Sequence, residues 1–389
     1  MAQAKGTKSK MGYMVETTFA TMPAAPALKL LYFISESVSE KMNLITSQVL
    51  RDNRNPTLPV RGNRDVSGGF RTELCPELGS WLYYALGASP TTTPISPYYE
   101  HVLKVGDLPS FLIEKGFTDL PRYLLYMGCK VNRLTISARP EGFQDVNIEL
   151  MGAYEGQALY YDTQTGNFTV GLTASGAGGS TGLIKGDNDS SDQGFLTLIN
   201  PTGDFVVDEA LTDSSTGAAV VTSTLGYASI DASYTAPGHT PFDGFEVAVI
   251  QDGGSDIAYL TAVDLSIENN LDGGNYVLGG GGIRRSLPEG KVKVSGTITA
   301  LFESMALYQK ALRKTETSLK LTYKHGTGAG TDGNESLEIF VPELVIAKET
   351  PIIEGPQGIL YRGPFEAYYN NGADASSIKI TLLNAEASL

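Results

Sequence analysis

Chemistry begins with side chains that can attack, ligate or titrate, and this sequence offers few sets of them. Gly178-Gly179-Ser180-Thr181-Gly182 matches the G-x-S-x-G spacing of a nucleophile elbow. An elbow needs a buried strand before the serine and a helix after it, so that the hydroxyl is held in a strained turn. The flanks here, Thr173 to Ala177 and Leu183 to Gly186, read as a low-complexity loop, so Ser180 is assigned to a linker. His101, His239 and His325 stand 138 and 86 residues apart, and none has a second ligand at metal spacing. Asp187-Asn188-Asp189-Ser190-Ser191-Asp192 opens like a calcium loop, but the twelfth position is Leu198, which supplies no bidentate carboxylate. Gly279 to Gly282, followed by Ile283-Arg284-Arg285, suggests a phosphate cradle. A cradle needs a helix after the glycines, whereas Ser286 to Gly290 reads as turn and then strand. Cys75 and Cys129 are too few for a zinc site or a disulfide framework. No catalytic, cofactor or metal constellation is expected, and the chain is read as not an enzyme.

The densest chemistry is cationic. Arg51, Arg54, Arg61, Arg64 and Arg71 crowd one stretch, with Asp52 and Asp65 among them to neutralise part of the charge. Arginine makes bidentate contacts with carboxylates. Arg51, Arg54, Arg61 and Arg64, with Arg284 and Arg285 of the later glycine-rich loop, are therefore the candidate inter-subunit contacts.

The elements that must carry these residues are β-strands. Gly is 44 of 389 residues, Tyr 20 and Phe 14 against a single Trp, a balance that favours an all-β chain with many turns. The net charge is −14, and the window 156–255 holds twelve acidic residues against Lys185, a net −11 of that total. Such a chain does not retain nucleic acid by counterion release. The acidic window reads as an inserted, well-solvated small β module. On either side of it the sequence resembles itself. Tyr32 to Leu44 lies on Tyr259 to Leu271 with four identities, a Gly- and Arg-bearing loop follows each, and both loops enter a strand at Val66-Ser67-Gly68 and Val294-Ser295-Gly296. A short helix is expected after each strand, over 76–86 and 304–314, the second with Met305, Tyr308 and Leu312 on one apolar face. The expected organisation is an N-terminal arm (1–27), a first copy of a β domain (28–155), the acidic insert (156–255), placed on an outer surface, and a second copy (256–389). The N-terminus has charge but no apolar run after it, so no export signal is expected, and no stretch is long enough to span a membrane.

Gly12-Tyr13-Met14-Val15-Glu16-Thr17-Thr18-Phe19-Ala20-Thr21 resembles the N-terminus of bacteriophage tail tube proteins, the major tail proteins of long-tailed phages. The runs Arg61 to Gly68, Pro109 to Phe117, Tyr126 to Leu134 and Leu287 to Gly296 extend the likeness, in order, over 12–155 and 256–385. The resemblance implies an all-β fold of duplicated tail-tube β-sandwich or barrel domains, each with a short helix. It implies a virion protein, made in the host cytoplasm, that self-associates into stacked rings around a DNA channel, beside a tape measure protein and tail-end proteins. No cofactor is implied. Two domains per chain favour a trimeric ring with pseudo-hexameric symmetry over six chains. The alternative reading is a surface-displayed β-domain adhesin, which requires the export signal that this N-terminus lacks.

Overall fold

The structure, a computed structural model, describes residues 3–222, 227–244, 247–252, 254–330, 333–353, 355–370 and 372–389, with the side chains at 247, 248 and 252 left aside. Glu246, counted above among the acidic residues, lies outside the described residues. The described residues form 23 strands and two short α-helices.

Strands form where apolar and polar residues alternate, because one face can then be buried while the other stays wet. Asp145–Gly152 and Thr317–Lys324 show this alternation in their burial. In the first half, the segment from Lys29–Leu31 to Ser39–Ile45 runs between Ser9–Val15 and Val60–Glu73. Val60–Glu73 then pairs with Asp145–Gly152, and that strand with Arg122–Ala138. Phe111–Phe117 closes the circuit by pairing with both Arg122–Ala138 and Ser9–Val15. The second half repeats the order of pairings. Ser255–Glu268 pairs with Val247–Asp252 and Lys293–Leu301, the latter with Leu360–Ala367, and that with Ser336–Ile346. Thr317–Lys324 closes this circuit onto Val247–Asp252. The registers correspond as well: Ser39 lies opposite Ser67 and Glu40 opposite Val66, as Ser266 lies opposite Ser295 and Ile267 opposite Val294. Within the stretch expected as an arm, Ser9–Val15 is a full strand that buries Met11 and Tyr13. Val247–Asp252, within the stretch expected as the insert, belongs to the second circuit.

One apolar core runs through both halves, from Met11, Phe70 and Trp81 to Leu321, Ile346 and Leu382. The C-terminal strand Lys379–Asn384 ties them together by lying between Ser336–Ile346 and Tyr98–Lys104. Both helices fall within their expected stretches. Gly79–Leu86 is entered through Pro76 and stopped at Gly87, whose φ of 92° suits glycine. A Cβ on its first residue, Gly79, would sit 2.5 Å from the Leu389 side chain and 2.7 Å from that of Leu382, so those side chains would have to shift. The second helix, Ala306–Arg313, differs from expectation in its face: Leu307 and Ala311 are buried, whereas Met305 and Leu312 are about half exposed.

The acidic stretch contains a third closed circuit of strands, built from Tyr154–Gly166, Gln193–Thr202, Thr181–Ser190, Thr173–Gly176, Ala210–Thr212 and Ala218–Val221. It has its own core around Tyr161, Leu196, Leu198 and Leu211. It also packs on the first half, where Phe195 and Ile199 meet Leu112, Leu125 and Met127.

Candidate assembly interface

None of the motifs read for catalysis finds its context. Ser180 sits at a turn between two strands, and its hydroxyl faces Glu209 at 3.2 Å. His101 is buried against Thr92, Asn384 and the Glu386 carbonyl, His239 faces Glu73, and His325 faces Glu335. Asp187 to Ser190 belongs to a strand rather than a calcium loop. Among the described residues no group of three His, Cys, Asp or Glu side chains is placed to hold a metal. Among the described residues no helix is long and apolar enough to cross a membrane.

What the fold does position is a run of eight antiparallel strands. Its order is Ser39–Ile45, Val60–Glu73, Asp145–Gly152, Arg122–Ala138, Ser255–Glu268, Lys293–Leu301, Leu360–Ala367 and Ser336–Ile346. One face of this run packs on the core and the other is polar, as period-two alternation dictates. On the polar face Arg71 pairs with Asp145, Arg133 with Glu268 and Arg139 with Asp264, at 2.6–2.7 Å. These three cations are held by neighbouring carboxylates.

The two halves meet inside this run, at a seam of six residue pairs from Val263 opposite Ala138 to Glu268 opposite Arg133. Leu134, Ile136, Val263, Leu265 and Ile267 fill the buried side. The long loop after Glu268 then lies over the first half. Asn269 donates to the carbonyls of Ala85 and Val131, and the Leu271 N–H to Asn132. Glu289 takes the Lys130 ammonium at 2.9 Å and the Leu108 N–H at 3.0 Å. Partial burial opposes its ionisation, but these donors outweigh that and hold its carboxyl below the usual range.

The structure separates the six candidate arginines into two groups. Arg64 is buried, with its guanidinium 2.5 Å from both Glu40 and Asn200. Arg284 is also buried and crosses the seam to the first half, donating to the Val66 and Gly152 carbonyls and to Asp65. Arg51, Arg54, Arg61 and Arg285 are exposed. The 46–59 loop carrying Arg51 and Arg54 makes hydrogen bonds only within itself among the described residues, for example from the Asn55 N–H to Asn53. Sequence reasoning missed the seam residues Lys130, Arg133, Arg139, Asp264, Glu268 and Glu289. Partners 125 to 159 residues apart leave no local signal of their pairing.

The family model for the phage tail tube protein matches residues 6–367, nearly the whole chain. The chain belongs to that family. The match runs through the acidic stretch as well as its flanks, so the tail tube family covers the eight-strand run and both circuits that support it. A comparison with curated proteins gives no match. Membership makes the chain a structural component of a phage tail, of mostly β architecture, that assembles with itself into a tube.

Proposed function

We propose that the chain forms trimeric rings that stack into the tail tube, the conduit through which DNA is ejected, and that it has no catalytic activity. The observation that carries this reading is the eight-strand run, which has the same pairing order in its two parts, the same register at Ser39–Ser67 and Ser266–Ser295, and, among the described residues, no second partner strand at its Ser39–Ile45 end. That parallel supports a duplicated domain, and a ring closing on duplicated domains needs half as many chains. Neighbouring strands lie about 4.8 Å apart, so three chains supply roughly 24 strands and a backbone diameter of roughly 40–50 Å at ordinary tilt. Six chains would double this and leave a bore far wider than a duplex requires. The polar face suits a lumen, because Arg71, Arg133 and Arg139, already paired with carboxylates, offer little to a phosphate backbone. The acidic insert is read as lying on the outside, and Arg64, which meets Asn200 of the insert, points away from the polar face toward the core. A tape measure protein would fill the bore during assembly, tail-end proteins would cap it, and synthesis would occur in the host cytoplasm. Electron microscopy of the purified chain tests the reading. Tubes whose cross-section shows three chains per ring support it, and six chains per ring or dispersed monomers would sink it.

A further inference from the structure

The two helices follow corresponding strands of the two halves, Val60–Glu73 and Lys293–Leu301, but they are covered very differently. Every residue of Gly79–Leu86 except Tyr83 is buried. Part of that cover comes from the other half of the chain: Leu382 and Leu389 lie against Gly79, and Asn269 donates to the Ala85 carbonyl. Ala306–Arg313 buries only Leu307 and Ala311. Met305 and Leu312, at the two ends of its i, i+3, i+7 stripe, are 49% and 51% exposed. An apolar stripe turned to solvent marks a surface that a partner covers.

The correspondence between the halves says which partner. The strand beside the first helix, Lys379–Asn384, follows Leu360–Ala367 and pairs along residues 336–340 of Ser336–Ile346. In the first half the strand in that position is Tyr154–Gly166, which follows Asp145–Gly152 and pairs along residues 125–127 of Arg122–Ala138. The helix of the first half is thus covered by the half that comes next across the seam. For the second helix the next half belongs to another copy, and the strand in the covering position is the one that carries that copy's acidic insert.

The surface chemistry agrees. Lys310, Arg313 and Lys314 stand at the end of the second helix, with Arg313 and Lys314 exposed. Glu303 and Glu316 flank the helix, and Glu316 is engaged by the Tyr368 hydroxyl. The window 156–255 carries a net −11. On the insert, Val206 and Val207 are exposed between Asp204 and Asp208, an apolar patch set among acids. A helix with an apolar stripe and a basic end complements this patch, whereas two such patches would repel each other.

We infer that the stripe of Met305, Tyr308 and Leu312 docks on the acidic insert of the next copy of this chain in the ring, against its Val206 and Val207. This rests on the tube reading and adds to it a contact that lies outside the eight-strand run. It gives the insert a part in holding the ring together.

The test uses the full chain and reads the critical concentration for assembly by sedimentation. Leu312→Glu, with the fold intact by circular dichroism, should raise it at least tenfold. Replacing 160–226 by a short Gly/Ser turn should raise it as much, and Leu312→Glu added to that deletion should raise it no further. Arg313→Glu with Lys314→Glu should also raise it, and adding Asp204→Lys with Val206→Lys to the same chain should bring it back. A Leu312→Cys, Val206→Cys chain should give disulfide-linked multimers on oxidation, whereas either single variant should stop at dimers or below. An unchanged critical concentration in both Leu312→Glu and the charge reversal would overturn the inference while leaving the tube reading intact. A loss from Leu312→Glu that persists in the deletion variant would also overturn it, since the stripe would then meet another surface. A wild-type chain that stays monomeric at high concentration would overturn both.

Discussion

Glu16 holds the N-terminal segment against the first half with two hydrogen bonds, one oxygen taking the Gly128 N–H at 2.8 Å and the other the Ala20 N–H at 2.9 Å. Burial nonetheless dominates and raises its pKa to about 7 from 4.5. Between those values the folded chain keeps a proton that the unfolded chain has released. Stability is therefore highest below the unfolded value and falls as pH rises toward about 7, by at most about 3 kcal/mol. Other buried carboxylates contribute to the total, so the useful quantity is the difference between wild type and Glu16→Gln. Urea unfolding at several pH values should show a steeper fall between about pH 5 and 7 for wild type than for the variant. Parallel curves would show that Glu16 is ionised throughout. A second residue, Arg64, matters for choosing variants. Its removal would leave Glu40, 8% exposed at its side chain, without its cation, a loss of roughly 3–5 kcal/mol that would disturb folding before assembly. Arg51, Arg54 and Arg61 are the arginines at which assembly can be tested cleanly.

At the scale of elements, the first helix is the most committed part of the core. Trp81 is 1% exposed and lies against Tyr13, Phe70, Tyr84 and Phe111, with ring centroids 4.6–5.6 Å apart. Those rings come from the N-terminal strand, two body strands and the helix itself. Trp81→Ala should cost about 3–5 kcal/mol, measured by urea unfolding, through a cavity that four separate partners cannot collapse to fill. A loss below about 1 kcal/mol would mean that the cluster repacks. Much of this level is legible in sequence, because strand and helix periods are local. Tyr32 to Leu44, the Val-Ser-Gly strands and both helices lie where their residue patterns put them. The second helix shows the limit. Met305, Tyr308 and Leu312 form an apolar stripe, but in the chain alone the core takes Leu307 and Ala311. Pattern identifies a helix without saying which side meets its own chain. The pairing of Lys379–Asn384 with Tyr98–Lys104 and the seam at Arg133 were illegible for a related reason: strands so distant in sequence are matched by tertiary packing, which no local period encodes.

For the molecule as a whole, the question is how independent the acidic module is. Its composition suggests an insertion that could be cut out, and the charge argues for a screened outer position, since repulsion decays over about 8 Å at physiological salt. The structure gives the cut its proper bounds. Leu159 and Tyr227 face each other in an antiparallel bridge, so the chain leaves and returns at neighbouring points. The returning segment is part of the body. Ile230 and Phe242 are buried, and Glu114, fully buried, accepts from the Ser229 hydroxyl, the Ile230 N–H and the Tyr234 hydroxyl. Burial pushes the Glu114 carboxyl above the usual range, and these donors offset only part of that. Replacing 160–226 by a short Gly/Ser turn keeps all three donors. It exposes the surface that Phe195 and Ile199 covered, at about 3–5 kcal/mol. Replacing 160–240 removes the donors too, leaving a buried acid without partners and at least a further 3 kcal/mol of loss. The shorter deletion should therefore fold and form tubes that are thinner outside with an unchanged bore, whereas the longer one should be unstable or insoluble. Electron microscopy and urea unfolding of the pair decide the matter. Equal stability of the two would refute the anchoring role of 227–244, and density lost from the bore in the shorter variant would refute the outer placement.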